Sequence, residues 1–361
     1  MERGVQRPPA EVEHQDELAR LRAEDDGEVP PGWSMSMRAV RRFVLGSEEH
    51  DPPAKFVGPT SLIDRAMVAL ATQRALLLVG EPGVAKSYLA ELLAAAISGD
   101  STLTIQGGAA ITEDQIRYGW NYALLVAEGP SERALVPAPI LTGMRRGAIV
   151  RFEEITRCPL EVQDSLLGVL SERALNIPEL GEASGTVYAR EGFNVIATAN
   201  TRDRGVNEMS AALRRRFTFE TVFPIRDPDA ELALVEERAN RLLARSGVSA
   251  PLSRDVLDIL VTTFRDLRET LAHEVAAGAR SSMSTAECVE VAHAIGVRAH
   301  YLRGGVAEPE DVVEHLAGTV VKQDSEERAR LVRYLDHDAT KRTEPHWKRF
   351  AAARGRLDGV E

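Results

Sequence analysis

Cysteine is nearly absent. The 361 residues hold two, Cys158 and Cys288. They lie far apart and lack the spacing of metal-ligand pairs, so they read as free thiols in a reducing compartment rather than as a disulfide framework. Long apolar runs are missing too. No stretch approaches about 18 uninterrupted apolar residues, so no membrane-spanning helix is expected. Residues 1–32, MERGVQRPPAEVEHQDELARLRAEDDGEVPPG, have no apolar centre and do not read as a secretory signal, which makes a cytoplasmic location the expectation. There is no excess of basic charge. The formal net charge of −11 makes nucleic acid an unlikely partner, since its binders usually present a basic face. No repeat of fixed period is present. What remains, 44% apolar and 27% charged residues, is the composition of an ordinary globular protein long enough for two or three domains.

The pattern changes along the chain. Residues 1–54 are polar and acidic, interrupted by Pro30-Pro31 and by GSEEHDPPAK, and are expected to be a largely disordered tail and linker with a short helix around Glu13 to Glu24. From Phe56 onward, helical and strand signals alternate. SLIDRAMVALATQR has helical spacing, and ALLLVG is a continuous apolar run suited to a strand buried on both faces. KSYLAELLAAAIS is built of strong helix formers. STLTIQ, GAIVRFEE and GFNVIATAN read as further strands, and PLEVQDSLLGVLSERA as one helix with proline in its first turn. Strands alternating with helices imply a parallel sheet covered on both faces, here over residues 55–225. After Asp227-Pro228 the strand signals stop. Four helical segments fill residues 226–320, and a charged, helical segment is expected over 321–361.

The stretch LLLVGEPGVAKSYLAELLAAA places a buried strand, a glycine turn and a helix opening with Lys-Ser in succession. That is the context of a phosphate-binding loop, whose N–H groups and helix N-terminus hold phosphate oxygens. Gly80, Glu81, Pro82, Gly83, Val84, Ala85, Lys86, Ser87 and Tyr88 are the candidate nucleotide-binding residues. Lys86 would reach the β/γ-phosphates and Ser87 would hold Mg²⁺. The second glycine of the usual pattern is Ala85 here. A methyl group costs little if this residue already has helical torsions, so Ala85 is expected in the first helical turn. The alternative is a tight strand–helix turn with an exposed lysine.

AIVRFEEITR puts Glu153 and Glu154 at the end of a buried strand. The first would hold Mg²⁺ partly through water, and the second would orient and deprotonate an attacking water. Taken alone, they also read as two exposed glutamates. Asn200 ends VIATAN, where an amide would position that water, although asparagine at a strand end is commonly a turn residue. Arg214, Arg215 and Arg216 follow in NEMSAALRRRFTFE. Such a cluster usually marks a solvated helix end, but in this context it suggests an arginine finger acting on a neighbouring subunit.

The order Lys86, Glu153-Glu154, Asn200, Arg214–Arg216 and then a helical domain resembles the AAA+ ATPases. Within them the chain is similar to the MoxR-like group, especially its YehL-like branch, through FVGPTSLIDRAMVALATQRALLLVGEPGVAKS, RFEEITRCPLEVQDSLLGVLSER and ATANTRDRGVNEMSAALRRRF. The resemblance implies an α/β fold, with an αβα core of the P-loop NTPase type around a parallel sheet followed by an all-α lid domain. It also implies ATP hydrolysis with Mg²⁺, a homo-oligomeric ring, most simply a hexamer, and a chaperone-like role. The client would be a protein, often one with a von Willebrand factor A domain. Arg216 or Arg215 would be the trans-acting finger. Relatives carry a lid arginine where this chain has Thr285, and Arg280 is the substitute. The group's two inserted β-hairpins fit NYALLVAEGPSERALVPAP, turning at Gly129-Pro130, and LNIPELGEASGTVYAREGF, turning at Gly181 to Gly185. Glutamate at position 153 departs from the family's usual aspartate and bears on hydrolysis more than on binding. A nucleotide-dependent switch with negligible turnover and a DNA-acting motor are the competing readings.

Overall fold

The structure is a computed structural model that describes residues 6–47, 52–181, 185–200, 208–248, 252–274, 283–321 and 325–357. It divides into two compact units, residues 1–81 with 85–223, and residues 224–361 with the three-residue loop Pro82–Val84.

The first unit opens with three helices, α1 (Ala10–Glu13), α2 (Gln15–Glu24) and α3 (Met37–Leu45). Here the structure corrects the expectation of a largely disordered tail. Leu18, Leu21, Trp33, Met35, Val40, Phe43 and Val44 are all buried. Leu18 and Leu21 are three apart and share one helix face, a stripe too narrow to lift the average hydropathy of an acidic segment. Ser36 caps α3 by accepting from the Ala39 N–H, and its own hydroxyl donates to Asp25 at 2.6 Å. At the end of GSEEHDPPAK, the stretch expected to be a linker, Lys55 is buried. Its ammonium donates to Glu17 at 2.5 Å and to the Phe43 carbonyl at 3.0 Å.

Beyond it come α4 (Thr60–Ala71), β1 (Ala75–Gly80), α5 (Lys86–Ser98), β2 (Thr104–Gln106), β3 (Tyr118–Trp120), α6 (Tyr122–Glu128), β4 (Leu135–Pro137), α7 (Pro139–Arg146), β5 (Ile149–Glu153), α8 (Leu160–Asp164), α9 (Leu166–Glu172), β6 (Ala174–Asn176), β7 (Thr186–Tyr188), β8 (Asn194–Asn200), α10 (Ala211–Arg214) and β9 (Phe217–Thr221). Five strands form one sheet in the order β2-β5-β8-β1-β9, and every pairing in it is parallel. The long apolar runs of β1 and β8 take the inner places, as strands covered on both faces should. The edge strand β9 is not among the four strands expected from the sequence. Its Glu220 is buried and accepts two 2.7 Å bonds from Arg65 of α4. At the opposite end of the sheet, the Asn194 amide donates to the carbonyls of Leu70, Thr72 and Arg74, tying down the turn that leads into β1.

Two further expectations are corrected. NYALLVAEGPSERALVPAP is not a hairpin turning at Gly129-Pro130. Asn121 caps a helix at its start by accepting from the Leu124 N–H, and Gly129, at φ +78°, ends that helix. The antiparallel pair is instead β3 with β4. PLEVQDSLLGVLSERA is two helices rather than one, parted at Ser165, whose hydroxyl donates to the Val162 carbonyl and so competes with the helical ladder. The second hairpin forms as β6 against β7, with residues 182–184 of its turn outside the described residues.

The second unit contains α11 (Pro228–Arg245), α12 (Arg254–Glu274), α13 (Thr285–Leu302), α14 (Pro309–Leu316), α15 (Ser325–Arg333) and α16 (Pro345–Ala352). Leu331, Tyr334, Trp347, Phe350 and Leu357 share one core with Leu232, Phe264, Ile295 and Val312. The charged stretch over 321–361 is thus part of the helical domain and not a separate segment. Its apolar residues are sparse but spaced to meet one face. Among the described residues, no helix is long and apolar enough to cross a membrane.

Candidate functional site

The carboxyl ends of β1, β5 and β8 meet the start of α5. In an open parallel sheet this is the edge where ligands bind, because loops diverge there and helix N-termini point toward it. Register places Gly80 of β1 directly beside Asn200 of β8. The Lys86 side chain turns back over that edge and is buried. Its ammonium donates to the Gly80 carbonyl at 3.1 Å, the Glu81 carbonyl at 2.7 Å and Asn200 Oδ1 at 2.9 Å. Three acceptors converge on the charge that sequence reading assigns to phosphate.

Ser87 and Glu153 are brought together. The Ser87 hydroxyl donates to Glu153 Oε2 at 2.6 Å, and the Thr198 hydroxyl donates to the same oxygen at 2.8 Å. The other oxygen, Oε1, accepts from Arg151 at 2.8 Å. Glu153 is only 5% exposed, so its carboxylate is fixed by these donors rather than by water. A hydroxyl and a carboxylate converging on one point are hard oxygen donors, which suit Mg²⁺. Such an ion takes few protein ligands and completes its shell with water and phosphate.

Glu154 follows in the left-handed region at φ +53°, and its N–H donates to Thr198 Oγ1 at 2.9 Å. Its carboxylate pairs with Arg157 at 2.8 Å. The turn is crowded. Gly107 donates its N–H to the Glu153 carbonyl at 2.7 Å, and a Cβ there would lie 2.3 Å from the Glu154 carbonyl oxygen. Only glycine lets β2 leave the sheet so close to this turn.

The loop between β1 and α5 departs from expectation at Ala85. This residue precedes α5 at φ +65° and ψ +27°, in the left-handed region, and not in the first helical turn. The turn needs a residue there that reverses the chain into α5, a task for which glycine is the unstrained choice. Gly83 also has positive φ, +76°. Pro82 and Ala85 are exposed, whereas Glu81, Val84 and Tyr88 are half-buried.

Arg215 and Arg216 are not drawn to this cluster by any bond among the described residues. Both are exposed, and Arg216 donates to Ser171 Oγ at 2.6 Å. Arg280 lies outside the described residues. Thr285 donates its hydroxyl to the buried Glu231 at 2.6 Å. Arg265 and Arg268 pair with the same carboxylate. Sequence reading overlooked Thr198, Arg151 and Gly107. Each left a signal: two polar residues in otherwise apolar strands, and a glycine directly after a strand.

A family model for the AAA domain of the dynein-related subfamily matches residues 75–217. A model for the YehL-like AAA+ ATPase C-terminal domain matches residues 229–358. Over 354 residues the chain is 58% identical to YehL of Escherichia coli (strain K12), covering 98% of each. It is also similar to the chaperone MoxR1 of Mycobacterium tuberculosis (strain ATCC 25618 / H37Rv), at 28% identity over 64% of this chain and 55% of that one. Among solved structures, NtrX from Brucella abortus in complex with ATP aligns loosely, with a TM-score of 0.49 and 14% identity, over 86% of this chain and 65% of that one.

Proposed function

The chain belongs to the YehL family of AAA+ ATPases, and from that premise and the geometry above we propose that it binds and hydrolyses ATP to remodel a partner protein. One observation carries the reading. Lys86 and Ser87 at the start of α5 are hydrogen-bonded to Asn200 at the end of β8 and to Glu153 at the end of β5, so that three elements meet at the carboxyl edge of the sheet.

In this reading the Lys86 ammonium exchanges part of its carbonyl shell for phosphate oxygens, aided by the N–H groups that open α5. Ser87 and Glu153 hold Mg²⁺, which when bound neutralises charge on the β- and γ-phosphates. Glu154 leaves Arg157 to orient and deprotonate the attacking water, and Asn200 fixes that water from the neighbouring strand end. Arg216 or Arg215 acts on the nucleotide of an adjacent protomer, which requires a ring, most simply a hexamer. Their exposure on the surface supports that role. Arg280 serves as the lid arginine. The client class, a von Willebrand factor A domain protein, and the cytoplasmic setting follow from the resemblance and the composition.

The second reading is a nucleotide-dependent switch with negligible turnover. It is favoured by the engagement of Glu154 with Arg157. One set of assays separates the two. Lys86→Ala should abolish nucleotide binding by calorimetry. Glu154→Gln should keep binding and lower the ATPase rate by at least about a hundredfold. Equal, background-level rates for wild type and Glu154→Gln would establish the switch. Unchanged affinity in Lys86→Ala would remove the site altogether.

A further inference from the structure

Arg151 has no place in the reading just given, yet it touches the group on which that reading depends. It lies two residues before Glu153 on β5, so both side chains leave the same face of the strand. Its neighbours in the strand, Val150 and Phe152, are fully buried and apolar. The guanidinium is itself largely enclosed, with 11% of the side chain exposed. One nitrogen donates to Glu153 Oε1 at 2.8 Å and reaches the Ser87 carbonyl at 3.5 Å, while another donates to the Ser101 carbonyl at 3.0 Å. The third, Nε, is buried without a hydrogen bond among the described residues. A buried donor left unsatisfied is costly, so fold stability alone does not explain an arginine here.

Glu153 Oε2 is already shared by Ser87 and Thr198. With Arg151 on Oε1, both oxygens that a divalent cation needs have donors, and one donor carries a full positive charge. A cation bound between Ser87 and Glu153 would therefore compete with a guanidinium for the carboxylate and sit beside it in a poorly screened place. We propose that Arg151 is a positioning residue that ties down the long Glu153 side chain and, by its charge, weakens the site's affinity for divalent cations. Glu153 and Arg151, two residues apart on β5, then act as a single device. Glutamate provides the reach, and arginine limits how tightly the metal binds. The inference rests on the nucleotide-site reading above.

Opposing effects follow from removing Arg151. Freeing Glu153 restores rotamer freedom and loosens the metal site. Removing a unit charge adjacent to a cation tightens it, and at short range in a partly buried site the charge effect is the larger. The test is a Mn²⁺ titration of the full chain with ADP, read by the loss of the free-ion electron paramagnetic resonance signal. Fluorescent ADP binding in EDTA provides a metal-free arm. Arg151→Met keeps the aliphatic length and loses the charge, and Mn²⁺ should bind at least about tenfold tighter. Arg151→Lys keeps the charge and loses the fork, and should stay within about threefold of wild type. Unchanged or weaker Mn²⁺ binding in Arg151→Met would overturn the proposal, as would Arg151→Lys matching Arg151→Met. If Arg151→Met shows no cooperative thermal transition, Arg151→Gln is read in its place. Failure of both neutral variants to fold would make the charge a structural requirement and also overturn the proposal. Wild type that binds fluorescent ADP while all variants share one Mn²⁺ affinity would sink this inference alone. Wild type that binds no nucleotide, with or without metal, would sink the nucleotide-site reading with it.

Discussion

Ala85 stands in a conformation that most side chains avoid. At φ +65° its Cβ crowds the following carbonyl, at a cost of about 1–2 kcal/mol relative to a right-handed residue. Glu154 carries the same handicap at φ +53°. Both residues lie at turns that leave the carboxyl edge of the sheet, where strain persists only if the surroundings impose it. Glycine would relieve both, and the two differ in what that substitution removes besides strain. Glycine at 85 removes the clash but loosens the unfolded chain, which offsets part of the gain. Ala85→Gly should therefore stabilise the first unit by roughly 0.5–1 kcal/mol, seen as a higher urea midpoint. A lower midpoint would mean that the methyl group makes contacts worth more than the strain. Glycine at 154 also relieves strain but deletes the acid, so stability should rise there only at the expense of activity.

The helices before β1 behave as part of the nucleotide-site scaffold. Ser34 N–H donates to the Ile97 carbonyl at 2.7 Å, Arg7 pairs with Glu91 at 2.8 Å, and the Ser101 hydroxyl donates to Glu11 at 2.6 Å. All three contacts fall on α5 or just beyond it, the helix that Lys86 and Ser87 open. The strongest single tie within these helices is the pair Lys55–Glu17, with the lysine side chain 1% exposed and 4.4 Å from the centre of the Phe43 ring. Breaking such a pair leaves a buried charge without its counter-ion. Glu17→Gln should destabilise the first unit by about 3 kcal/mol in urea unfolding, at the low end of the range because Glu17 keeps some exposure. A loss below about 1 kcal/mol would place the pair among the screened surface ones. A disordered tail would show no loss at all.

The arginine cluster is tested on whole molecules. Arg216→Ala should leave nucleotide affinity unchanged and lower turnover by about a thousandfold if the side chain serves a neighbouring protomer. Mixing it with Glu154→Gln should then restore part of the activity, because some interfaces pair an intact acid with an intact arginine. No recovery on mixing would place Arg216 in a local role, such as its bond to Ser171. The helical unit is likewise legible only as a whole. Trp347 and Phe350 lie far along a charged stretch yet share one core with Leu232 and Phe264.

Contiguous signals need no folded partner to be read. GEPGVAKS, RFEE and ATAN are short strings whose chemistry travels with them. The apolar runs of β1, β5 and β8 announce buried parallel strands without any partner in view. The tertiary structure decided whatever depends on a surface supplied from elsewhere. Leu18, Leu21 and Phe43 stabilise a fold only when other elements cover them, so an acidic composition concealed three packed helices. A strand as short as β9 gains its identity from pairing with β1. The torsions of Ala85 follow from the direction in which α5 must leave the sheet, and not from alanine's own preference. Glu153 could be named from the string alone. Which of its oxygens faces Ser87 and Thr198, and which faces Arg151, depended on three elements meeting at one edge.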